Sequence, residues 1–155
     1  MKKIGHFING REIEGKSGRS AEIFNPATGE VQAIVALASK SELDEAVNLS
    51  KKAQPQWAST NPQRRARVLM KFIEFLHRDM DELALALSTE HGKTIPDAKG
   101  DIIRGLEVAE FCLGAPHLLK GDFTDSAGPG IDMYSMRQPI GVAAGITPFN
   151  FPAMI

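Results

Sequence analysis

The sequence predicts an α/β chain, and three observations carry that prediction. Short runs of strand-forming residues broken by turn chemistry open it: Phe7-Ile8 before Asn9-Gly10, and Ala21 to Phe24 before Asn25-Pro-Ala-Thr-Gly29. From Ser41 to Leu113, apolar residues recur at the spacing of helices. The chain closes on Ile140 to Ile146, an apolar, Gly-punctuated run short enough for a buried strand rather than a helix.

The first hairpin pairs Phe7-Ile8 with Arg11-Glu-Ile13 across Asn9-Gly10. That dipeptide suits a type I′ turn, in which both central residues take positive φ. A second strand pair, Ala21 to Phe24 and Val31 to Ala38, flanks Asn25 and Gly29, which supply the turn. Ser41 is predicted to cap the first helix, whose acidic first turn follows. Leu43, Ala46, Val47, Ser50, Ala53 and Trp57 fall on one face, predicted to be buried. Pro55 predicts a break before Trp57. Asn61-Pro62 caps a second helix, with Val68, Leu69, Phe72, Ile73, Phe75 and Leu76 facing the core and Arg64, Arg65 and Arg67 on a solvated face. A third runs over Asp79 to Thr89 and ends through Gly92 as its left-handed C′ residue. His91 reads as a helix-end residue rather than a general base.

A fourth helix spans about Ile95 to Leu113. Gly100 and Gly105 each cost about 1 kcal/mol relative to Ala in a helix interior. They therefore mark close packing against another backbone or space kept for a ligand. Arg104 emerges between them, either as an ion pair with Asp101 or Glu107 or as a ligand contact. Cys112, beside Val108 and Ala109, reads as a small buried hydrophobe rather than a reactive thiol. Pro116 and the stretch from Gly121 to Gly130 end the helical region. Ile131 to Arg137 then reads as an exposed strand that Pro139 confines to an edge, and unpaired edges invite partners.

Composition narrows the classes. Of the 155 residues, 43% are hydrophobic and 24% charged, an ordinary balance for a globular protein. A formal net charge of -1 gives no reason to expect nucleic acid or an anionic membrane as partner. One cysteine excludes an internal disulfide and a Cys-based zinc site, and suits a reducing cytoplasm. Met1-Lys-Lys is not followed by an apolar core, since Gly5-His6 and Asn9-Gly-Arg-Glu intervene. No apolar run approaches a membrane span, and there is no G-x-G-x-x-G, because Gly141-Val-Ala-Ala-Gly145 has the wrong spacing.

After Ile146, Thr147-Pro148 breaks the strand ladder and Asn150 follows between two aromatic rings and two prolines. A helix can start at Pro152. The carboxyl end of a strand in an open α/β sheet is where ligands bind. On this pattern alone, Asn150 either satisfies the loop backbone or presents its amide to a ligand.

Pro148-Phe-Asn-Phe-Pro152 resembles the Pro-aromatic-Asn-Phe-Pro signature of the aldehyde dehydrogenase superfamily. The Phe-Ile-Asn-Gly hairpin and the Asn-Pro-Ala-Thr-Gly turn are similar to that superfamily's opening. Within it, several stretches together resemble the methylmalonate-semialdehyde dehydrogenase branch. They are Gly100 to Gly105, Gly114-Ala-Pro116, the loop Gly121 to Asp132, Tyr134 to Arg137, Pro139-Ile-Gly141 and Phe149-Asn-Phe-Pro-Ala-Met154. Many other branches carry Trp where Phe149 stands.

The resemblance covers essentially the whole chain and implies the amino-terminal third of that fold: β-hairpins, a helical layer and the start of a Rossmann-like NAD-binding sheet. It divides the chain into residues 1–122 of the NAD-binding domain, an oligomerisation arm at 123–139, and the first core strand with its oxyanion loop at 140–155. The implied reaction is NAD-dependent, CoA-acylating oxidation of methylmalonate or malonate semialdehyde to propionyl-CoA or acetyl-CoA with loss of CO₂. The alternatives are a non-acylating dehydrogenase for another carboxylated aldehyde, such as succinate semialdehyde, and a non-catalytic fragment. Asn150 is the implied oxyanion donor. Thr147 and Phe149 border the nicotinamide end of NAD, Phe151 and Met154 face the aldehyde, and Arg104 pairs with the substrate carboxylate. The resemblance also implies a homo-oligomer, a tetramer in the complete enzyme. The family's nucleophilic Cys, general-base Glu and ribose-binding residues fall beyond the equivalent of Ile155, so the 155 residues alone are expected to be inactive.

Overall fold

The computed structural model describes residues 1–155. Five short strands lead: β1 (Lys2–Ile4), β2 (His6–Ile8), β3 (Arg11–Ile13), β4 (Ser20–Phe24) and β5 (Val31–Ala36). Four long helices follow, α1 (Lys40–Ser59), α2 (Pro62–Arg78), α3 (Met80–His91) and α4 (Ile95–Cys112), then the single turn α5 (Ala115–Leu118). Strands β6 (Phe123–Gly128) and β7 (Ile131–Tyr134) come last. The class is α/β, as the pattern predicts.

Both predicted strand pairs form. β2 and β3 pair antiparallel, with Asn9 at φ 55° and Gly10 at φ 74°, the two positive values a type I′ turn requires. β4 pairs antiparallel with β5 around a turn in which Asn25 Oδ1 accepts the Ala27 N–H at 2.9 Å. On its other side β5 takes β1 in parallel, with Lys2 opposite Ala33 and Ile4 opposite Val35. β1 was not legible, because a three-residue, lysine-rich strand owes its state to a partner about thirty residues away.

Two helix predictions need correction. The first helix is capped by Ser39, not Ser41. Glu42 stands three residues after Ser39, so the two close a capping box: Glu42 N–H donates to the Ser39 hydroxyl at 3.3 Å, and Ser39 N–H to Glu42 Oε2 at 2.8 Å. The helix also runs unbroken through Pro55. Only the Lys51 carbonyl loses its i+4 donor there, and both residues lie on the exposed side where solvent can replace it.

Glu42 is buried and also accepts the Lys16 N–H on Oε1 at 2.7 Å, tying α1 to the chain between β3 and β4. The Ser39 N–H, then the Lys16 N–H and the Ser39 hydroxyl, hold its carboxyl down from 4.5 to about 2 against the opposing effect of burial. A depressed pKa stabilises the fold above the unfolded value and is lost as pH falls through the folded one. The melting temperature of the native protein is therefore expected to exceed that of Glu42→Gln most above pH 4.5, the gap closing toward pH 2. A gap constant from pH 7 to 2 would assign the stabilisation to shape rather than charge.

The core is small and lies among α2, α3 and α4: Ile73, Ala84, Ala98, Ile102 and Leu106, flanked by Leu69, Leu76, Met80, Leu87, Ala109 and Leu113. Only part of each predicted apolar face is covered. Leu43, Val47 and Trp57 on α1, and Val68, Phe72 and Phe75 on α2, stand exposed. Cys112 is exposed as well, correcting its expected burial, and borders an apolar groove with Trp57, Leu69 and Phe72. The accessible surface of 11875 Å² compares with about 7,700 Å² for a compact monomer of 16.8 kDa. The amphipathic stripes require a cover that residues 1–155 do not supply.

The same applies to the carboxyl end. No strand forms over Ile140–Ile146, and both end residues are almost fully exposed, at 95% and 98%. A buried strand needs neighbours to hydrogen-bond with, and no other strand of these residues lies beside this one. β6 and β7 pair with each other as a hairpin, so the exposed strand expected at Ile131–Arg137 is shorter and has a partner at Phe123–Gly128. No helix is long and apolar enough to cross a membrane.

Candidate active site

Residues 149–154 lie against the middle of α4, the end of α3 and the turn between them. Thr94 caps α4 by accepting the Asp97 N–H at 3.4 Å, with Ile95-Pro96 as its first turn. Gly92, at φ 88°, ends α3 in the left-handed conformation, as predicted. The two helix ends meet at Lys93.

Lys93 and Asp101 form a buried ion pair at 3.1 Å, with side chains 6% and 0% exposed. Asp97 lies 3.7 Å from the same ammonium on its exposed side. Lys93 Nζ also donates to the Asn150 carbonyl at 3.2 Å. The other oxygen of Asp101 accepts the Met154 N–H at 2.8 Å, and His91 Nε2 donates to the Phe149 carbonyl at 2.7 Å. A Cβ on Gly105 would sit 3.1 Å from the Met154 Cα. That glycine therefore marks close backbone packing, one of the two readings its helix position allows. Gly100 has open space where a side chain would be.

The predicted site residues divide accordingly. Arg104 and Phe151 are brought together, the guanidinium 5.1 Å from the ring centroid, and Lys93 Nζ flanks the same ring at 4.7 Å. Arg104 joins no salt bridge in the chain, since Asp101 is taken by Lys93. Met154 is half-buried against α4. Asn150 is exposed and its side-chain amide makes no hydrogen bond within residues 1–155; only its carbonyl is held. Thr147 and Phe149 are exposed, Phe149 at 88%, and what His91 holds is the Phe149 carbonyl.

Sequence reasoning missed Lys93 and Asp101 and gave His91 only its helix-end role. One signal was available. Ala98, Asp101, Ile102, Gly105 and Leu106 share one helical stripe, and an acid on an apolar stripe calls for a buried partner. Nothing local says that the partner is Lys93 or that the loop of Asn150 completes the set.

The geometry leaves one amide free on a loop whose backbone is bound at three points, with a guanidinium that has no carboxylate partner close by. Two such groups, linked through Phe151, suit a ligand carrying a developing oxyanion and a fixed anionic group. Known proteins resemble this chain in sequence and in fold. The sequence model of the aldehyde dehydrogenase family matches residues 13–155. Malonate-semialdehyde dehydrogenase of Pseudomonas aeruginosa is 46% identical over 155 residues, all of this chain and 31% of the relative. Among solved structures, a Sinorhizobium meliloti protein in complex with NAD, provisionally named a methylmalonate-semialdehyde dehydrogenase, is 66% identical. It has a TM-score of 0.96 over 99% of this chain and 31% of its own. The methylmalonate-semialdehyde dehydrogenase of Oceanimonas doudoroffii is 47% identical, with a TM-score of 0.95 over the same shares. The chain thus spans about a third of the relatives' length, and a family match over nearly all its residues, with the fold superposing throughout, makes it a member of the aldehyde dehydrogenase family.

Proposed function

We propose that these residues are the amino-terminal part of an NAD-dependent, CoA-acylating dehydrogenase that converts methylmalonate semialdehyde and malonate semialdehyde to propionyl-CoA and acetyl-CoA with release of CO₂. The observation that carries the reading is the free Asn150 amide on a backbone-anchored loop whose next residue, Phe151, carries the Arg104 guanidinium on its ring. The names of the relatives support the substrate class.

In this reading Asn150 Nδ2 donates to the aldehyde oxygen as it becomes an oxyanion after attack by a thiolate that lies outside residues 1–155. Arg104 pairs with the substrate carboxylate, and Phe151 and Met154 line the aldehyde side of the pocket. Thr147 and the exposed Phe149 ring would border the nicotinamide: a hydroxyl and an open aromatic face beside the loop suit a polar heteroaromatic ring. NAD, when bound, accepts the hydride. Residues 1–122 and 140–155 belong to its binding domain. The β6–β7 hairpin is the arm that joins subunits of a cytoplasmic tetramer, and its exposed Phe123, Ile131, Met133 and Tyr134 support that role.

The test uses the full-length protein. NADH formation from methylmalonate semialdehyde is expected to need CoA for sustained turnover and to yield propionyl-CoA by mass. Equal turnover without CoA, or a preference for succinate semialdehyde, would replace this reading with a non-acylating one.

A further inference from the structure

We infer that Lys93 and Asp101, assisted by His91, are positioning residues that hold the Asn150 amide where an oxyanion forms. The inference rests on the oxyanion role proposed above. Taking two charges out of water is sustained only when further hydrogen bonds satisfy them, and here those bonds converge on one loop. Lys93 donates to the carbonyl of Asn150 itself, Asp101 accepts from Met154 four residues on, and His91 binds the carbonyl one residue before.

The pair does not brace one helix against another. Lys93 lies in the α3–α4 connection, Asp101 is on α4, and what they grip across the gap is the backbone from 149 to 154. Gly105 completes the seat, because a side chain there would push on Met154. With its carbonyl fixed and its neighbours tied, Asn150 keeps only its two side-chain torsions. The amide needs no reorganisation when charge develops, which is what makes such donors effective. Freeing the loop by a fraction of an ångström therefore costs rate rather than binding.

The experiment measures single-turnover acylation, the NAD dissociation constant and the melting temperature in the full-length protein. Lys93→Met and Asp101→Asn are expected to slow acylation roughly 10-fold with NAD affinity unchanged, and Lys93→Arg to recover part of the loss. In an Asn150→Ala background the same substitutions should slow the reaction no further, since there is no amide left to misplace. If Lys93→Met and Asp101→Asn fail to fold, Lys93→Met/Asp101→Leu leaves no lone buried charge, and His91→Ala leaves the pair intact. Either must show the same non-additivity with a smaller or equal loss. Wild-type rates in folded variants, or losses that multiply with Asn150→Ala, would overturn the positioning role and leave the oxyanion reading standing. An Asn150→Ala protein as fast as wild type would overturn the oxyanion reading, and the positioning role with it.

Discussion

Asn150→Ala in the full-length protein is expected to lower the acylation rate by about 10²–10³ while the affinity for NAD stays nearly unchanged. The expected loss is that of one oxyanion-hole donor, about 3–4 kcal/mol of transition-state stabilisation. The structure gives the reason to expect an effect on rate. The amide has no partner within residues 1–155, whereas the carbonyl of the same residue is held by Lys93. Truncating the side chain thus removes no bond that maintains the loop, and the melting temperature should barely move. Rapid-quench or stopped-flow measurement under conditions where acylation limits the rate decides the matter. A variant acylating at the wild-type rate would return Asn150 to the role of a loop residue.

Arg104→Ala should raise the KM for methylmalonate semialdehyde by about 10²-fold, with an uncharged aldehyde such as propanal much less affected. Enclosing a carboxylate without a cation is costly, and truncating one partner of a buried charge pair costs on the order of 2–5 kcal/mol. Arg104 is placed for the task because no carboxylate of the chain occupies it: its guanidinium rests on the Phe151 ring at 5.1 Å. The planar fork can bind both carboxylate oxygens and stays charged at any working pH. Lys at this position should recover only part of the loss, since it offers a point charge without the fork or the stacking face. Equal losses for the charged and uncharged aldehydes would make Arg104 a packing residue of α4.

The parts of this fold legible in the sequence are those decided within a few residues. Asn9-Gly10, Asn25 with Gly29, Asn61-Pro62 and Gly92 each carry their turn or cap in their own chemistry, and each stands where expected. Ser39 was legible too, because Glu42 three residues on marks a capping box, whereas Ser41 has only the shorter Asp44 at that position. What local pattern cannot supply is the identity of a distant contact. The stripe of α1 says that Leu43, Val47 and Trp57 need a cover, without saying where it comes from. The run Ile140–Ile146 says strand, yet a strand exists only beside another. The candidate site divides the same way. Short motifs single out Asn150, Phe151 and Arg104 as candidates, whereas Lys93 reaches Asn150 across fifty-seven residues.

The open apolar faces also bear on how a protein of the relatives' length would be made. Because 155 residues are 31% of that length, about 345 more must leave the ribosome before the cover is complete. At 5–20 residues per second, that is roughly 17–70 s. The α2–α3–α4 core, built from nearby segments, can form within that interval, since local contacts close quickly. Trp57, Phe72 and Ile146 must wait through it uncovered, and so must the outer edges of the β6–β7 hairpin. The period of greatest aggregation risk for such a chain therefore falls during its own translation, when the first third is folded enough to present its sticky faces and the remainder is not yet there to take them.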